Sequence, residues 1–356
     1  MGLVEDIRTV TSLLIDVAFG FVVLTLGVLL FIFFYLYIFK RGSNKNLKLA
    51  NRFYTLVSEI SLCETDEERE QVFLQPYVQD MHQTCLRRKS RRAFMLKALV
   101  QFHKTVHGAA AENIKWLYEK LDFKNDSLQQ LTSHRWHKKA AAIQALAEMG
   151  QQDCITKIYR YTNHSNYYIR SAAQVAVVKL TGFEGLRFLN VINQPITQWQ
   201  QLCLLQQLVS YPNVQEEKLQ AWLMSTNESV VELALKLVKA YAVHGVHDQL
   251  VQCLQHPNVT IRTEAIIILK EMAAATTVSV LKAHYEKAER MERIAILKSL
   301  QAIGTRDEVP FLVALLNTSD QLLKNEVLKT LQELAPDWQA CKDNNSVNFS
   351  KSIAIV

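Results

Sequence analysis

Two patterns of apolar residues divide the chain. Val17 to Phe39 (VAFGFVVLTLGVLLFIFFYLYIF) is an unbroken run without a charge. At ~1.5 Å per residue it would measure about 34 Å, enough to cross a ~30 Å hydrocarbon layer. The run is too long for the apolar core of a signal peptide, and no small-x-small cleavage site follows it. Tyr35 and Tyr37 near its end suit a lipid interface. From about residue 49 onward apolar and polar positions alternate at helical spacing instead. Leu49 to Leu62, Glu67 to Met81, Arg88 to Lys104 and Asn113 to Leu121 read as helices, and Phe123 to Thr132 as a linker.

Beyond Ser133 the helical pattern repeats. An apolar residue is followed four places on by a small or apolar one at Trp136/Ala140, Ile169/Ala173, Trp199/Cys203, Val230/Ala234, Ile261/Ala265, Met291/Ala295 and Leu323/Val327. The second members recur at a nearly constant interval from Ala140 to Val327. Gly150, Gly182, Gly245 and Gly304 fall near the end of four of these helices, where a left-handed residue closes a helix. Short second helices then follow: ITKIY, LRFLNVI, LVQCL and VPFLVALL, the last with Pro310 in its first turn. Helix, glycine turn, helix and polar turn at about 31 residues describe a stack of helical hairpins.

The Ile169-Arg170-x-x-Ala173 and Ile261-Arg262-x-x-Ala265 segments resemble the first helix of HEAT repeats, in the short bacterial variety named after phycobilisome lyases. The resemblance covers about Ser133 to Leu334. Together with the apolar run it gives an all-α chain: one N-terminal transmembrane helix followed by an α-α superhelix, a HEAT-like helical-hairpin solenoid of armadillo-like type. It also implies that the second helices line a concave surface for a protein partner.

Composition and charge agree with this reading. Only 10 glycines and 6 prolines in 356 residues argue against a β-sandwich, a barrel or a loop-rich α/β enzyme. The six cysteines form no C-x-x-C pair and read as packing residues in a reducing compartment. Glu5, Asp6 and Arg8 precede the apolar run, while Lys40, Arg41, Lys45, Lys48 and Arg52 follow it. The positive-inside rule then predicts a single-pass inner-membrane protein, with its N-terminus outside and its repeats in the cytoplasm. The expected organisation is an extracytoplasmic segment (1–16), a transmembrane helix (17–39), a basic helical region with a divergent capping repeat (40–132), seven repeats (133–335) and a polar tail (336–356).

Signatures of catalysis are missing: there is no phosphate-binding glycine loop, dinucleotide fingerprint, H-E-x-x-H or G-x-S-x-G. The pairs His103/His107, His134/His137 and His244/His247 lack a third ligand, so neither metal nor cofactor is expected. Asn163, Asn227, Asn258 and Asn317 begin glycosylation triplets but lie in inter-repeat turns, where Asn serves as a cap. The expected function is a membrane-anchored scaffold or adaptor that binds a protein at the cytoplasmic face, and not an enzyme. Lys157, Arg160 and Arg187 would begin its partner-binding surface. Arg87, Arg88, Lys89, Arg91 and Arg92, together with Lys40 and Arg41, would contact anionic lipid headgroups. Nucleic acid is disfavoured, because the array lacks a continuous stripe of cations. The alternatives are a lyase-like accessory subunit of a membrane-associated complex and a self-associating structural membrane protein.

Overall fold

A computed structural model describes residues 20, 23–35, 50–84 and 88–337. Every regular element among them is helical. Residues 23–35 are helical. Among the described residues no helix is long and apolar enough to cross a membrane. The expected transmembrane helix and single-pass inner-membrane placement are corrected accordingly. Residues 1–16 and the tail from 338 onward lie outside the described residues.

The chain divides into two compact units, Met1–Thr132 with Glu148–Gly150 and Ser133–Ala147 with Gln151–Val356. In the first, a helix α1 over 50–61 is followed by α2 (Asp66–Phe73), α3 (Pro76–Thr84), α4 (Lys89–His103), α5 (Ala109–Lys120) and α6 (Phe123–Leu131). Thr65 caps α2 reciprocally with Glu68. The helix expected over 67–81 breaks before Pro76, which cannot continue the ladder of N–H donors. The expected linker after Phe123 is instead α6, held by buried Phe123, Ser127 and Leu131. Asp122 adopts the left-handed conformation, φ 56°, to turn the chain into it.

The second unit stacks hairpins whose first helices are α7 (Trp136–Glu148), α9 (Tyr167–Thr181), α10 (Gln198–Leu208), α12 (Glu228–Tyr241), α14 (Val259–Met272) and α16 (Arg290–Ile303). Their second elements are α8 (Ile155–Tyr159), a 3₁₀ segment (Gly182–Asn190), α11 (Glu216–Leu223), α13 (His247–Cys253), α15 (Thr277–Tyr285) and α17 (Val309–Ala314). A further first helix, α18 (Gln321–Leu334), follows. Helices α12, α14, α16 and α18 pack in series, and α11, α13, α15 and α17 each pack against the first helix that follows them.

The register is set by the residue that caps each first helix. Asn166, Thr197, Asn227, Asn258, Glu289 and Asp320 occupy these N-caps, one per hairpin at a nearly constant interval. The seventh residue after each cap is Ala173, Leu204, Ala234, Ala265, Ile296 or Val327, and all six are fully buried. The sequence frame slips by one at two hairpins. Trp199 and Met291 stand second after their caps and are exposed, and Cys203 and Ala295 are only half-buried. The third position, which faces the core, holds Gln200 and Glu292 there. Both are polar, and an apolar template therefore skips them.

The glycine turns divide similarly. Gly150 and Gly182 do take positive φ, 67° and 61°. Gly304 has φ −73°, and α12 and α14 end on left-handed Ala242 and Ala273 rather than on glycine.

Candidate functional site

Lys157 and Arg160 are exposed and lie one helical turn apart at the end of α8. Arg187, on the 3₁₀ segment of the next hairpin, stacks its guanidinium 4.7 Å over the Tyr159 ring. That stack brings the Arg187 side chain to α8 and leaves it exposed. The nearest carboxylate in sequence, Glu184, is engaged elsewhere. Lys218 donates to it at 2.8 Å and Gln215 also donates to it. Those hydrogen bonds hold its carboxyl below the usual range.

Charge is distributed unevenly along this unit. Residues 133–215 hold eight Lys/Arg against three Asp/Glu, whereas residues 216–337 hold 13 against 16. The two segments thus carry +5 and −3, and the three expected partner-binding cations all lie in the first. Further along, Lys282 bonds to Glu308 at 2.5 Å and lies over the Phe311 ring. His256 accepts the Asn258 backbone N–H at 3.1 Å. Those second-helix and turn positions bind their neighbours, while Gln252 and Glu286 are exposed.

The cluster expected at lipid headgroups is split. Lys40, Arg41 and Arg87 lie outside the described residues. Arg88 and Lys89 are exposed at the start of α4, and Arg91 is half-buried. Arg92 turns inward: its Nε donates to Asp126 at 2.6 Å and its Nη2 to the Leu121 carbonyl at 2.8 Å. The guanidinium also lies 5.1 Å from the Phe123 ring centroid. Arg92 therefore fixes α4 to α6 and does not add to an exposed cation face.

Buried polar links between successive first helices have a sequence signal visible only in pairs one repeat apart. In the earlier hairpins the link is neutral: Gln200 donates to Gln174 at 3.3 Å, and Gln174 donates to the Thr162 carbonyl at 2.9 Å. Farther on it is ionic. Arg262 grips Glu292 through two bonds of 2.8 and 2.9 Å and also donates to the His256 and Pro257 carbonyls. His284 approaches the same carboxylate at 3.1 Å. Burial by itself would raise the Glu292 carboxyl. Hydrogen bonds from Arg262, the Glu289 N–H and His284 outweigh it and hold the group at about 2.

One member of two of the histidine pairs makes a side-chain contact within the fold. His103 Nδ1 lies 3.1 Å from Glu148 within the first unit, and His247 Nε2 is 3.5 Å from Thr277 Oγ1. Among the described residues no three His, Cys, Asp or Glu side chains converge as metal ligands. Asn227 and Asn258 are N-caps, as the turn reading expects, whereas Asn163 donates to the Val191 carbonyl of the next hairpin.

A family model described as HEAT repeats matches residues 247–332. The match covers α13 to α18 nearly in full, the stretch that contains the Arg262–Glu292 link. No curated protein sequence matches the chain. Among solved structures, an engineered protein aligns at 14% identity over 85% of this chain and 94% of its own, with a TM-score of 0.37. Human deoxyhypusine hydroxylase in complex with glycerol aligns at 12% identity over 81% of this chain and 97% of its own, TM-score 0.31. A structure of microtubule polymerases with tumor overexpressed gene domain arrays, concerned with tubulin recruitment, aligns at 13% identity over 82% of this chain and 81% of its own, TM-score 0.26. The HEAT-like character of the C-terminal hairpins therefore rests on the family match and on the packing described above.

Proposed function

We propose that the hairpin unit is a protein-binding scaffold with no reaction of its own, and that Lys157, Arg160 and Arg187 begin its partner surface. The observation that carries this reading is the contrast along the second helices. These three cations are exposed, and the carboxylate nearest Arg187 in sequence, Glu184, is already bonded to Lys218 and Gln215. Lys282, farther along, is held by its neighbour. A stack of hairpins offers an extended surface, and its +5 segment favours an acidic partner. The match to HEAT repeats supports a role in protein interaction. The lipid-contact reading is not carried forward, because Arg92 is bonded internally and no spanning helix is found among the described residues.

Quantitative affinity purification of the full chain tests the proposal against Lys157→Glu/Arg160→Glu/Arg187→Glu. A partner should be lost from the variant while its unfolding midpoint stays within about 2 °C of the parent, since exposed charges contribute little to stability. Retention of every partner by the folded variant removes this surface. Recovery of the chain alone replaces the scaffold reading with head-to-tail self-association, for which the opposed +5 and −3 segments supply the attraction.

A further inference from the structure

The hairpins expose a second surface, on their first helices. Trp136, Tyr168, Trp199 and Leu202 retain 46%, 57%, 68% and 56% of their surface. They lie in the opening turns of α7, α9 and α10. Burial of the stack does not require them. Tyr168 and Trp199 stand second after their caps, where the next two hairpins carry the small hydroxyl residues Ser229 and Thr260. Yet the rings of Trp136, Tyr167 and Tyr168 meet one another. Trp136 and Tyr168 stack at 4.6 Å with their planes 23° apart, and Tyr167 meets Tyr168 edge-on at 5.4 Å. The Tyr167 hydroxyl lies 3.5 Å from Thr197 Oγ1, at the cap of α10. Rings held against one another, as those of Trp136, Tyr167 and Tyr168 are, lose little side-chain freedom on binding, and Trp and Tyr dominate binding hot spots.

The charges beside it select the occupant. Neither α9 nor α10 contains an Asp or Glu, and Glu184 is the only carboxylate between residues 154 and 215. Arg135 and Lys138 flank Trp136 and are exposed, and among the described residues neither is ion-paired. Two further cations of the first helices are used within the stack, since Lys139 lies over the Tyr161 ring and Arg170 donates to the His164 carbonyl at 2.7 Å, while Lys157, Arg160 and Arg187 belong to the second elements. That leaves too few for a phosphate backbone, which needs a track of positive charge. We propose that Trp136, Tyr168, Trp199 and Leu202 form a docking site for an acidic peptide segment of another protein, with aromatic or aliphatic anchors that pack on the rings. This inference rests on the scaffold reading but uses first-helix residues, so its failure and that of the second-helix surface are separable.

A random 12-residue peptide display library, selected on the purified full chain, provides the test. The enriched pool should combine Asp/Glu with Trp, Phe or Leu. Its affinity should fall at least about 10-fold with Trp199→Ala and with Trp136→Ala/Tyr168→Ala. Arg135→Glu/Lys138→Glu should weaken it, and so should rising salt. Reversal of Lys157, Arg160 and Arg187, which lie on the second elements, should change it by less than about 3-fold in physiological salt. All variants replace exposed side chains, and each is compared at an unchanged unfolding midpoint. The inference is overturned by no enrichment, by a neutral or basic pool, or by a pool that binds Trp199→Ala as well as the parent. Tighter binding of a 12-nucleotide oligouridine, lost with Trp199→Ala, would overturn it in favour of single-stranded nucleic acid.

Discussion

The segment from α7 to α10 and the segment from α11 to α18 obey one cap-to-cap register and fill it with different chemistry. In the earlier segment the first helices are linked by neutral amides, Gln174 and Gln200, and the second residue after each cap is an exposed aromatic. In the later one the link is a buried guanidinium–carboxylate pair, and carboxylates outnumber cations. What both share is the fully buried seventh position after the cap. The stack therefore fixes shape through a few apolar positions, and its polar positions are open to vary. Variation in charge and exposed aromatics is where the two segments can acquire separate binding properties.

The largest expected effect tests the shared part. Ala265→Glu places a charge at a fully buried seventh position and should destabilise by on the order of 4 kcal/mol. Ala295→Glu, which a frame without caps treats as equivalent, is half-buried and should cost about 1 kcal/mol or less. Equal losses in denaturant titration would show that the cap register is not the one the fold uses.

The contrast between links comes next. Arg262→Ala strands Glu292, which is 0% exposed, and should cost about 3–5 kcal/mol. Gln200→Ala removes one neutral bond and should cost nearer 1–2 kcal/mol. Acid sharpens the comparison. The Glu292 carboxyl is held at about 2 in the folded chain, below the ~4.3 of an unfolded one. Its contribution is thus complete above about pH 4.5 and is lost as pH falls toward 2, with a span on the order of 3 kcal/mol. Glu292→Gln should be less stable at pH 7 and should flatten that part of the stability–pH curve. A curve of unchanged slope would remove the buried pair as its source.

The stack was legible where apolar residues mark it. Ile169, Val230, Ile261 and Leu323 all face the core at the third position after their caps, and an apolar template finds them. At Gln200 and Glu292 the core position is polar, since its partner stands one repeat away, and local pattern cannot show that pairing. The template moved instead to Trp199 and Met291, one residue early, and so took two exposed side chains as first members of the frame. The expected cations Lys157, Arg160 and Arg187 could be read as surface positions from spacing alone. Their contrast with Lys282 needed the structure, because Glu308 lies in the next hairpin. The aromatic edge was hidden by the same slip. A strongly apolar run over 17–39 carried the membrane reading, yet among the described residues no helix is long and apolar enough to cross a membrane.

The smallest expected effect concerns the turns that close the first helices. In the earlier segment Gly182 takes φ 61° and ψ −136°, a conformation essentially restricted to glycine. A Cβ there would also lie 2.6 Å from the Tyr211 ring. In the later segment Ala242 (φ 49°) and Ala273 (φ 46°) occupy the left-handed region with ψ of 47° and 37°. An L-residue there is strained by roughly 1–2 kcal/mol. Glycine removes the strain but gives the unfolded chain more freedom, which offsets about 0.4–1 kcal/mol of the gain. Ala242→Gly and Ala273→Gly should therefore each stabilise by up to about 1 kcal/mol, and the two should add because their turns lie in different hairpins. A double variant that unfolds at lower denaturant than the parent would mean that these two methyl groups contribute packing that outweighs the strain. The later hairpins would then use alanine at this turn for the contacts it makes rather than tolerate it.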